Sequence, residues 1–422
     1  MKKWLSSLAI ITLTGTLLVG CGNNASESTS TGEGEKNDKI TLKLLQNKPE
    51  IADKLKQMLA DYNKLNPNVT IEPEVTADVP TRLKTMFASG DEPDIFTMKG
   101  YADMKNWQEK LADLSGEPWI EDVLPAAQPG MTIDGKKYGF PLAIEGYGFV
   151  YNKELFAKAG IDKVPTTLTG LKEVNEKLKA AGITSYAEAY RENWPLGQHL
   201  LSLPFSYEPD PEGFAKKLNE GTAQVKDSPF MKGFFDVLDM TVNYGKGQDS
   251  LGISYDAEVA SFASGKSAMM QQGVWVLQPV MKINPNIQMG MFAIPLTDNP
   301  EETKLPVSVP NYYVVNKNSK HLDEVKKFLA WVHDNGQKYL VESFQFTPAF
   351  TSMKASADLG PLAEDMGKYV TENKTLPWAF ALWPNGGIRE QFVKPLQQYI
   401  AGQMTKEEAL EDLQKSWTAA VD

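Results

Sequence analysis

MFASGDEPDIF occupies residues 86–96 and contains a helix end, a turn and a short strand in direct succession. Leu83, Met86 and Phe87 form the apolar face of the helix, and Gly90 ends it, as glycine commonly does just beyond a helix C-terminus. The last three residues, Asp-Ile-Phe, predict a buried strand. A helix that leads directly into a strand is typical of α/β proteins.

The same alternation of strands and helices continues on both sides of this stretch. Upstream, residues 40–45 predict a buried strand, and apolar residues follow at helical spacing until Pro67 stops the helix. Downstream, residues 138–151 predict extended chain followed by helices, and the strand at 312–315 precedes an amphipathic helix from Leu322. We therefore expect an α/β fold of largely parallel sheets flanked by helices, with ligands bound beyond the carboxyl ends of the strands.

Chain length and charge limit the class of protein. Removing the first 20 of the 422 residues leaves 402, more than one hydrophobic core holds, so two lobes are expected. Hydrophobic residues make up 42% of the chain, which is ordinary for a soluble globular protein. The formal net charge of −11 argues against a nucleic-acid partner.

The N-terminus has the layout of a secretory signal, which we place at residues 1–20. Lys2 and Lys3 precede an apolar run that is too short for a membrane span. Residues 21–38 are almost entirely polar and predict a flexible tether, because they cannot bury enough apolar surface to offset the entropy of ordering. Cys21 is the only cysteine, so no intrachain disulfide can form.

The run Leu18-Val19-Gly20-Cys21 resembles a bacterial lipobox. The resemblance implies cleavage before Cys21 and a lipid on its sulfur. That lipid would hold the protein at the outer face of the cytoplasmic membrane, as in Gram-positive bacteria. The alternative is a secreted protein in which Cys21 has no such role. We favour the lipoprotein because the position, the neighbours and the uniqueness of the cysteine agree.

Four segments, in order and at matching spacing, resemble extracellular solute-binding protein family 1. They are MFASGDEPDIF (86–96), YGFPLAIE with VYNKELF (138–156), FASGKSAMM with GVW (262–275) and QYIAG with TKEEAL (398–410). The family comprises carbohydrate-type binding proteins of ABC importers, including maltose-binding and multiple-sugar-binding proteins. The resemblance, from Ile40 to Ala420, implies two lobes that close over a sugar and present it to a membrane permease.

The resemblance also implies how the chain divides between the lobes. The N-terminal lobe would comprise residues 39–145 and 311–348, and the C-terminal lobe residues 146–310 and 349–422. The ligand cleft would lie between the two lobes. Neither a cofactor nor a catalytic residue is expected, and the protein is expected to act as a monomer.

Aromatic side chains are the first candidates for a sugar site, which needs flat apolar faces against the C–H surface of a sugar ring. Trp275 follows the predicted strand 268–270, and the matching family position stacks on sugar. Trp194, within Trp-Pro-Leu, is either a ligand contact or core. Trp383 flanks, with Trp378, a glycine- and proline-rich loop of a kind that is more often functional. Four further tryptophans are expected in the core: Trp107, Trp119, Trp331 and Trp417.

Polar candidates also follow predicted strands. Glu145 interrupts an apolar stretch, where a carboxylate must be solvated or paired, and it aligns with a sugar-binding glutamate of the family. A hinge salt bridge is the alternative, and we favour the ligand. Gln46 and Asn47 follow the first strand and either bind sugar or shape the turn. Lys99 and Tyr101 stand where maltose-binding members carry a tryptophan and an Asp-Arg pair, which argues against maltodextrin as the ligand.

A glycosidase is one alternative function. Such an enzyme pairs two carboxylates, and Glu145 with Asp94 or Glu192 satisfies this by count alone. The sequence contains no nucleophile elbow, phosphate loop or zinc-binding histidine motif. Its histidines are scattered and are expected to be surface or core residues: His199, His321 and His333. We therefore predict a binding protein rather than an enzyme.

A ferric-ion binder of the same two-lobed class is the other alternative. Tyr312-Tyr313 resembles the tyrosine pair that such proteins use. Successive residues of a strand point to opposite faces, so two adjacent tyrosines are also ordinary in a strand. We favour the strand interpretation and expect no metal site.

Overall fold

The computed structural model describes residues 39–76, 78–384 and 388–421. The predicted signal peptide, the tether and the lipidation at Cys21 lie outside these residues. In the described ranges, no helix is both long and apolar enough to cross a membrane.

Twelve strands and fourteen helices are assigned in these ranges. The strands are β1 (Ile40–Gln46), β2 (Val69–Val75), β3 (Ile95–Met98), β4 (Thr132–Ile133), β5 (Lys136–Lys137), β6 (Phe140–Pro141), β7 (Glu145–Asn152), β8 (Met269–Gly273), β9 (Met289–Phe292), β10 (Leu305–Ser308), β11 (Tyr312–Val315) and β12 (Thr375–Leu376). The helices are α1 (Ala52–Leu65), α2 (Val79–Ser89), α3 (Ala102–Trp107), α4 (Lys153–Lys158), α5 (Leu168–Ala180), α6 (Leu201–Ser206), α7 (Pro211–Asn219), α8 (Met231–Asn243), α9 (Tyr255–Ala263), α10 (Leu277–Ile283), α11 (Leu322–Asp334), α12 (Gly360–Thr371), α13 (Ile388–Ile400) and α14 (Lys406–Val421). Two π-helical segments are Pro195–Leu200 and Gln337–Ser343.

The first sheet has the strand order β2-β1-β3-β11-β6. β1 is parallel to β2 and β3, whereas β11 is antiparallel to its neighbours β3 and β6. Helix α2 begins where the Asp78 side chain accepts a hydrogen bond from the Thr81 N–H, and it ends at Gly90, whose φ of 74° suits glycine. The helix and strand predicted within residues 86–96 are thereby confirmed.

The second sheet has the order β12-β10-β7-β8, and β9 pairs with β7 as well. Strand β7 is antiparallel to β8, β9 and β10. Met269 and Met270 of β8 belong to two different hydrophobic clusters, because successive side chains leave a strand on opposite faces. One face is covered by α9, α10 and α12, and the other by helices that include α5, α8 and α13.

The α/β class is confirmed, with sheets that are mixed in direction. The parallel pairs are those of β1 with β2 and β3, and of β10 with β12. The β7–β10 pair is antiparallel because the chain leaves the first sheet along β7 and returns along β10, with Ser308 opposite Glu145. Two neighbouring strands, one leading away from a sheet and the other back to it, are antiparallel. Periodicity predicts where strands occur and carries no information on their direction.

Sheet membership changes between Pro141 and Glu145 and again between Ser308 and Tyr312. Residues just beyond the predicted lobe boundary at 348 contact the first sheet and its surroundings. Ala349 accepts a hydrogen bond from the Leu124 N–H, and the Phe350 ring lies 5.0 Å from the ring of Phe140 in the first sheet. The predicted lobe boundaries stay predictions.

The four tryptophans that were expected in the core occupy two kinds of position. Trp119 and Trp417 are fully buried, as predicted. Trp107 and Trp331 are half-buried at the edge of the core, where they pack edge-on against Phe87 and Tyr62 respectively. None of the four belongs to the aromatic group described below.

Candidate functional site

Six aromatic side chains meet beside the carboxyl end of β8, and we call this group the aromatic cluster. Its members come from four places in the chain: the start of the π-helical segment Pro195–Leu200, the N-terminus of α9, the turn after β8 and the turn before α13. They are Trp194, His199, Tyr255, Trp275, Trp378 and Phe380. Carboxyl ends of strands are the usual position of ligand sites in α/β proteins.

His199 lies at the centre of the aromatic cluster. Its ring centroid is 5.2 Å from that of Trp194, 5.3 Å from Trp275 and 6.0 Å from Trp378. The ring of Tyr147 stacks on it with centroids 4.5 Å apart and an interplanar angle of 10°. Burial, with a smaller contribution from the positive charge of Lys99, lowers the pKa of His199 to about 3. The imidazole is therefore neutral at physiological pH and acts as part of an aromatic surface.

Trp194, Tyr255, Trp275 and Phe380 are half-buried, whereas Trp378 and His199 are buried. Each of the four half-buried rings thus keeps part of its surface accessible. The rings of Trp194 and Trp275 are 6.4 Å apart at an angle of 69°. Two such rings form an apolar corner that can contact a flat ligand from two sides.

Lys99 brings the N-terminal lobe to this corner. It follows β3, at the carboxyl end of a strand in the first sheet, and its Nζ lies 5.5 Å from the ring centroid of Phe380 in the C-terminal lobe. A cation over an aromatic face is an attractive contact. Among the predicted site residues, the structure therefore places Trp194, Trp275 and Lys99 together.

Tyr101 lies two residues beyond Lys99 and starts α3. Its backbone is in an unusual conformation, with φ at 57°, and its N–H donates to the carbonyl oxygen of Gly130 at 2.8 Å. Burial raises the pKa of Tyr101 to about 12, and the charge of Glu212 on α7 adds to this. Tyr101 thus also lies within electrostatic reach of the C-terminal lobe, with its hydroxyl protonated.

Glu145 forms a buried ion pair with Lys48. The Lys48 Nζ donates to the Glu145 Oε1 at 2.6 Å, and each side chain is only 10% exposed. The salt bridge that stood as the alternative for Glu145 is therefore formed, between the loop after β1 and the first residue of β7. Glu145 and Tyr147 lie on the same face of β7, which directs Glu145 to the side of the aromatic cluster. A direct contact of Glu145 with ligand stays a prediction.

Gln46 and Asn47 have different surroundings. Gln46 is completely buried, its Nε2 donates to the Tyr313 hydroxyl at 2.8 Å, and its Oε1 accepts from the Asn47 N–H at 2.8 Å. Its amide shapes the turn after β1 and is not open to a ligand. Asn47 is half-buried, and its Oδ1 has no hydrogen-bond partner among the described residues. Sugar binding by Asn47 stays a prediction.

Trp383 contacts one member of the aromatic cluster and is otherwise packed in the core. Its ring centroid is 6.4 Å from that of Phe380. It is 3% exposed and packs edge-on against Phe205 and Phe392, with centroids 5.9 and 4.9 Å away. Trp378, earlier in the same turn, packs against His199 and Trp275. The sequence shows both tryptophans beside the loop and does not show which one faces inward.

His199, Tyr147, Phe380 and Lys48 were not among the predicted site residues. The π-helical segment explains why His199 was missed. Its i to i+5 spacing brings His199 beside Trp194, five positions earlier, whereas a normal helix brings residues three or four apart together. A Trp-Pro pair followed by a histidine five residues after the tryptophan is the only local signal.

The family model for bacterial extracellular solute-binding proteins matches residues 48–339. The chain belongs to this family. Its location is accordingly outside the cytoplasm, and the prediction of a binding protein rather than an enzyme is confirmed by the family and by the relatives below.

Two relatives show what members of similar sequence bind. The multiple sugar-binding protein of Streptococcus mutans is 27% identical over 348 residues, covering 78% of this chain and 79% of that protein. The melibiose/raffinose/stachyose-binding protein MelE of Bacillus subtilis is 22% identical over 345 residues and covers 79% of each chain. Both matches extend over most of this solute-binding protein.

Solved structures support the two-lobed fold. RafE in complex with raffinose superposes with a TM-score of 0.78 at 22% identity, covering 91% of this chain and all of that one. A chitin oligosaccharide binding protein superposes with a TM-score of 0.75 at 23% identity, covering 91% and 99%. At these identities, the likeness concerns the fold of this solute-binding protein.

The structure gives no support to the two alternative functions. The Tyr312 hydroxyl donates to the Ala127 carbonyl oxygen at 2.9 Å, and the Tyr313 hydroxyl accepts from Gln46, so neither is open to a ferric ion. Within the described part of the chain, no group of three or more His, Cys, Asp or Glu residues could hold a metal ion. Asp94 accepts hydrogen bonds from the Lys43 N–H and the Ser319 hydroxyl, so its carboxylate holds the turn before β3.

Proposed function

We propose that this solute-binding protein captures a short carbohydrate between its lobes and presents it to the permease of an ABC importer. The observation that carries the proposal is the corner formed by Trp194 and Trp275, with Lys99 of the other lobe beside it. Indole faces suit the C–H surface of a sugar ring, and a lysine donates hydrogen bonds to hydroxyls. Relatives that bind raffinose-type and other sugars support this choice of ligand.

An oligosaccharide fits the aromatic cluster better than a single sugar. Half-buried rings lie on three separate elements, at Trp194, Tyr255 and Phe380, and each offers its own apolar surface. Asn47, on the N-terminal lobe, adds an acceptor whose Oδ1 is unpaired in the described part of the chain. A ligand with several rings can use these surfaces together.

Lobe closure is the proposed means of signalling. A ligand that touches Trp275 on one lobe and Lys99 on the other favours the closed state by its differential affinity for that state. The permease then recognises the closed shape, and no bond in the sugar is made or broken. The protein acts as a monomer in this proposal.

The N-terminus supplies the proposed attachment. Leu18 to Cys21 has the lipobox pattern, and the polar residues 22–38 that follow would give the folded lobes freedom above the membrane. A lipid on Cys21 would place the protein at the outer face of the cytoplasmic membrane, next to its permease.

A thermal-shift screen of residues 39–422 against mono- and oligosaccharides tests the proposal. Raffinose, stachyose and chitin oligosaccharides are included because proteins of the same fold bind them. A ligand at about 100 times its Kd stabilises the folded state by ~2.7 kcal/mol, which is readily detected. Trp275→Ala should abolish most of the shift, whereas Trp331→Ala, far from the aromatic cluster, should retain it. A screen in which no carbohydrate raises the melting temperature would overturn the proposal.

A further inference from the structure

A chain of buried hydrogen bonds lies behind Trp275. Its indole Nε1 donates to the Oε1 of Gln272 at 2.9 Å, and the Nε2 of Gln272 donates to the Oε2 of Glu258 at 2.6 Å. Gln272 and Glu258 are both 0% exposed. Water therefore cannot replace either partner, and an unmade hydrogen bond here would leave a buried polar group unsatisfied.

Glu258 fixes which way the Gln272 amide points. A glutamine amide has one acceptor end and one donor end, and Trp275 offers only an N–H. Gln272 can therefore satisfy Trp275 only if its oxygen faces the indole, and its NH₂ group then needs an acceptor on the other side. The carboxyl of Glu258 is that acceptor.

The Glu258 carboxyl lies on the same helix as a second ring of the aromatic cluster, that of Tyr255. Glu258 lies on α9, three residues after Tyr255, so both side chains lie on neighbouring positions of one helix face. Helix α9 is anchored at its start by Ser254, whose side chain accepts from the Ala257 N–H. Strand β8, which leads into the turn with Trp275, and helix α9, which begins with Tyr255, are thus joined by one buried hydrogen bond.

Glu188 is a second buried carboxyl near Glu258, and it is 2% exposed. Burial and the charge of Glu258 raise the pKa of Glu188 well above its usual value, and burial raises the pKa of Glu258, with a further contribution from the half-buried Glu192. Two nearby buried carboxyls cannot both ionise without a large cost, so the pair retains at least one proton. The Glu258 Oε2 accepts from Gln272 whichever of the two carboxyls holds that proton.

We propose that Gln272 and Glu258 are positioning residues for sugar binding: together they set the tilt of the Trp275 indole, and the acceptor at position 258 matters rather than its charge. The inference rests on the proposed function, because it assigns these residues a role in carbohydrate affinity. Neither residue touches the ligand itself.

The test compares Glu258→Gln, which keeps an acceptor, with Glu258→Leu and Gln272→Leu, which do not. Glu192→Gln is the matched control, because it removes a neighbouring carboxylate outside the hydrogen-bonded chain. Affinity for raffinose, stachyose and a chitin oligosaccharide is measured by calorimetry. Glu258→Gln and Glu192→Gln should bind as the wild type does, whereas both leucine variants should bind about tenfold more weakly, as expected for one lost buried hydrogen bond.

A second readout follows the indole N–H signals of ¹⁵N-labelled protein without any sugar. The Trp275 signal should shift and exchange faster with solvent in both leucine variants and should stay in place in Glu258→Gln. Trp417 is an internal reference, because its Nε1 donates to Asn219 Oδ1 at the same distance of 2.9 Å. Its signal should not move.

Two failures are distinguishable. A wild type that binds no carbohydrate would refute the proposed function. A wild type that binds, together with leucine variants of unchanged affinity and unchanged Trp275 signal, would refute the positioning role alone. If Glu258→Leu does not fold, the Gln272→Leu variant provides the test. It removes the acceptor of the Trp275 N–H and leaves Glu258 and its buried neighbour Glu188 in place.

Discussion

The indole ring of Trp275 lies directly on the backbone of Gly273, so closely that a Cβ on Gly273 would overlap ring atom Cζ3 and the carbonyl oxygen of Gly146. Gly273 is opposite Tyr147 in the β7–β8 pair, so the ring covers the junction of the two strands. A side chain at 273 must therefore displace the indole, and because Gly146 O belongs to the backbone, it must also shift the Gly273 backbone away from β7.

Gly273→Ala should therefore weaken carbohydrate binding by at least about tenfold, through misplacement of Trp275 rather than through loss of a contact. Gly116→Ala is the control, because a Cβ at Gly116 meets nothing within 4 Å. Calorimetry gives the affinity and thermal unfolding reports on folding. Normal affinity in Gly273→Ala would show that the position of the ring does not matter.

Breaking the ion pair of Lys48 and Glu145 should destabilise the protein. Lys48→Met should lower the free energy of unfolding by about 3 kcal/mol, because it leaves the largely buried carboxylate of Glu145 without its cation. Glu145→Gln should cost less, because Lys48 keeps its contact with the ring of Phe346, and the double variant should lose less than the sum. Urea unfolding measures this. Glu145→Gln should also weaken sugar binding by roughly 1.5–3 kcal/mol if the carboxylate contacts ligand. If Lys48→Met and Glu145→Gln bind sugar with the same affinity, the role of Glu145 is limited to the ion pair.

His199 should make the stability pH-dependent on the acid side. Its pKa is about 3 in the folded protein, against an ordinary value of 6.5, so below pH 6.5 the unfolded chain binds a proton that the folded protein does not. Stability should then fall with decreasing pH by up to about 1.4 kcal/mol per unit. His199→Phe keeps a ring and removes this dependence, which unfolding at pH 7.5 and pH 5 will reveal. A slope that is the same in both proteins would contradict the prediction.

Glu188 should have the opposite effect at higher pH. Its pKa is raised from 4.5 by burial and by Glu258, so above about pH 4.5 the folded protein retains a proton that the unfolded chain loses, and stability falls as pH rises. Glu188→Gln removes this loss and should gain stability relative to the wild type between pH 5 and pH 8. Unfolding free energies of Glu188→Gln and the wild type at pH 5 and pH 8 measure this gain. If the difference between the two proteins is the same at both pH values, Glu188 is charged in the folded state.

Cys21→Ala should release the protein from the membrane while the folded part still binds carbohydrate. The reason is that Cys21 is the only cysteine of the chain, so no other residue could carry a lipid thioether. Cell fractionation followed by an alkaline wash locates the protein. If Cys21→Ala stays with the membranes after the wash, the lipid is not what holds it there.

Local sequence patterns predicted the alternation of elements and two residues of the aromatic cluster. Trp275 and Trp194 were predicted because each lies near a residue that favours a turn, Gly273 and Pro195 respectively. Such a residue can be recognised from the local sequence. The sequence left two roles open for Gln46, sugar binding or shaping of the turn, because its partner Tyr313 lies 267 positions away in sequence. Such a distant pairing depends on the order of strands in the sheet, which periodicity does not reveal.

The place of β11 in the first sheet determines when that sheet can form. Residues 312–315 fill the slot between β3 and β6, whereas the other four strands all end by residue 141. A chain that emerges N-terminus first therefore leaves β3 with an open edge until nearly three-quarters of the chain has been made, and such edges pair readily with the wrong strand. Closing so long a loop is slow. The N-terminal lobe is thus completed late, and a chain cut short before residue 312 should aggregate rather than form half of the protein.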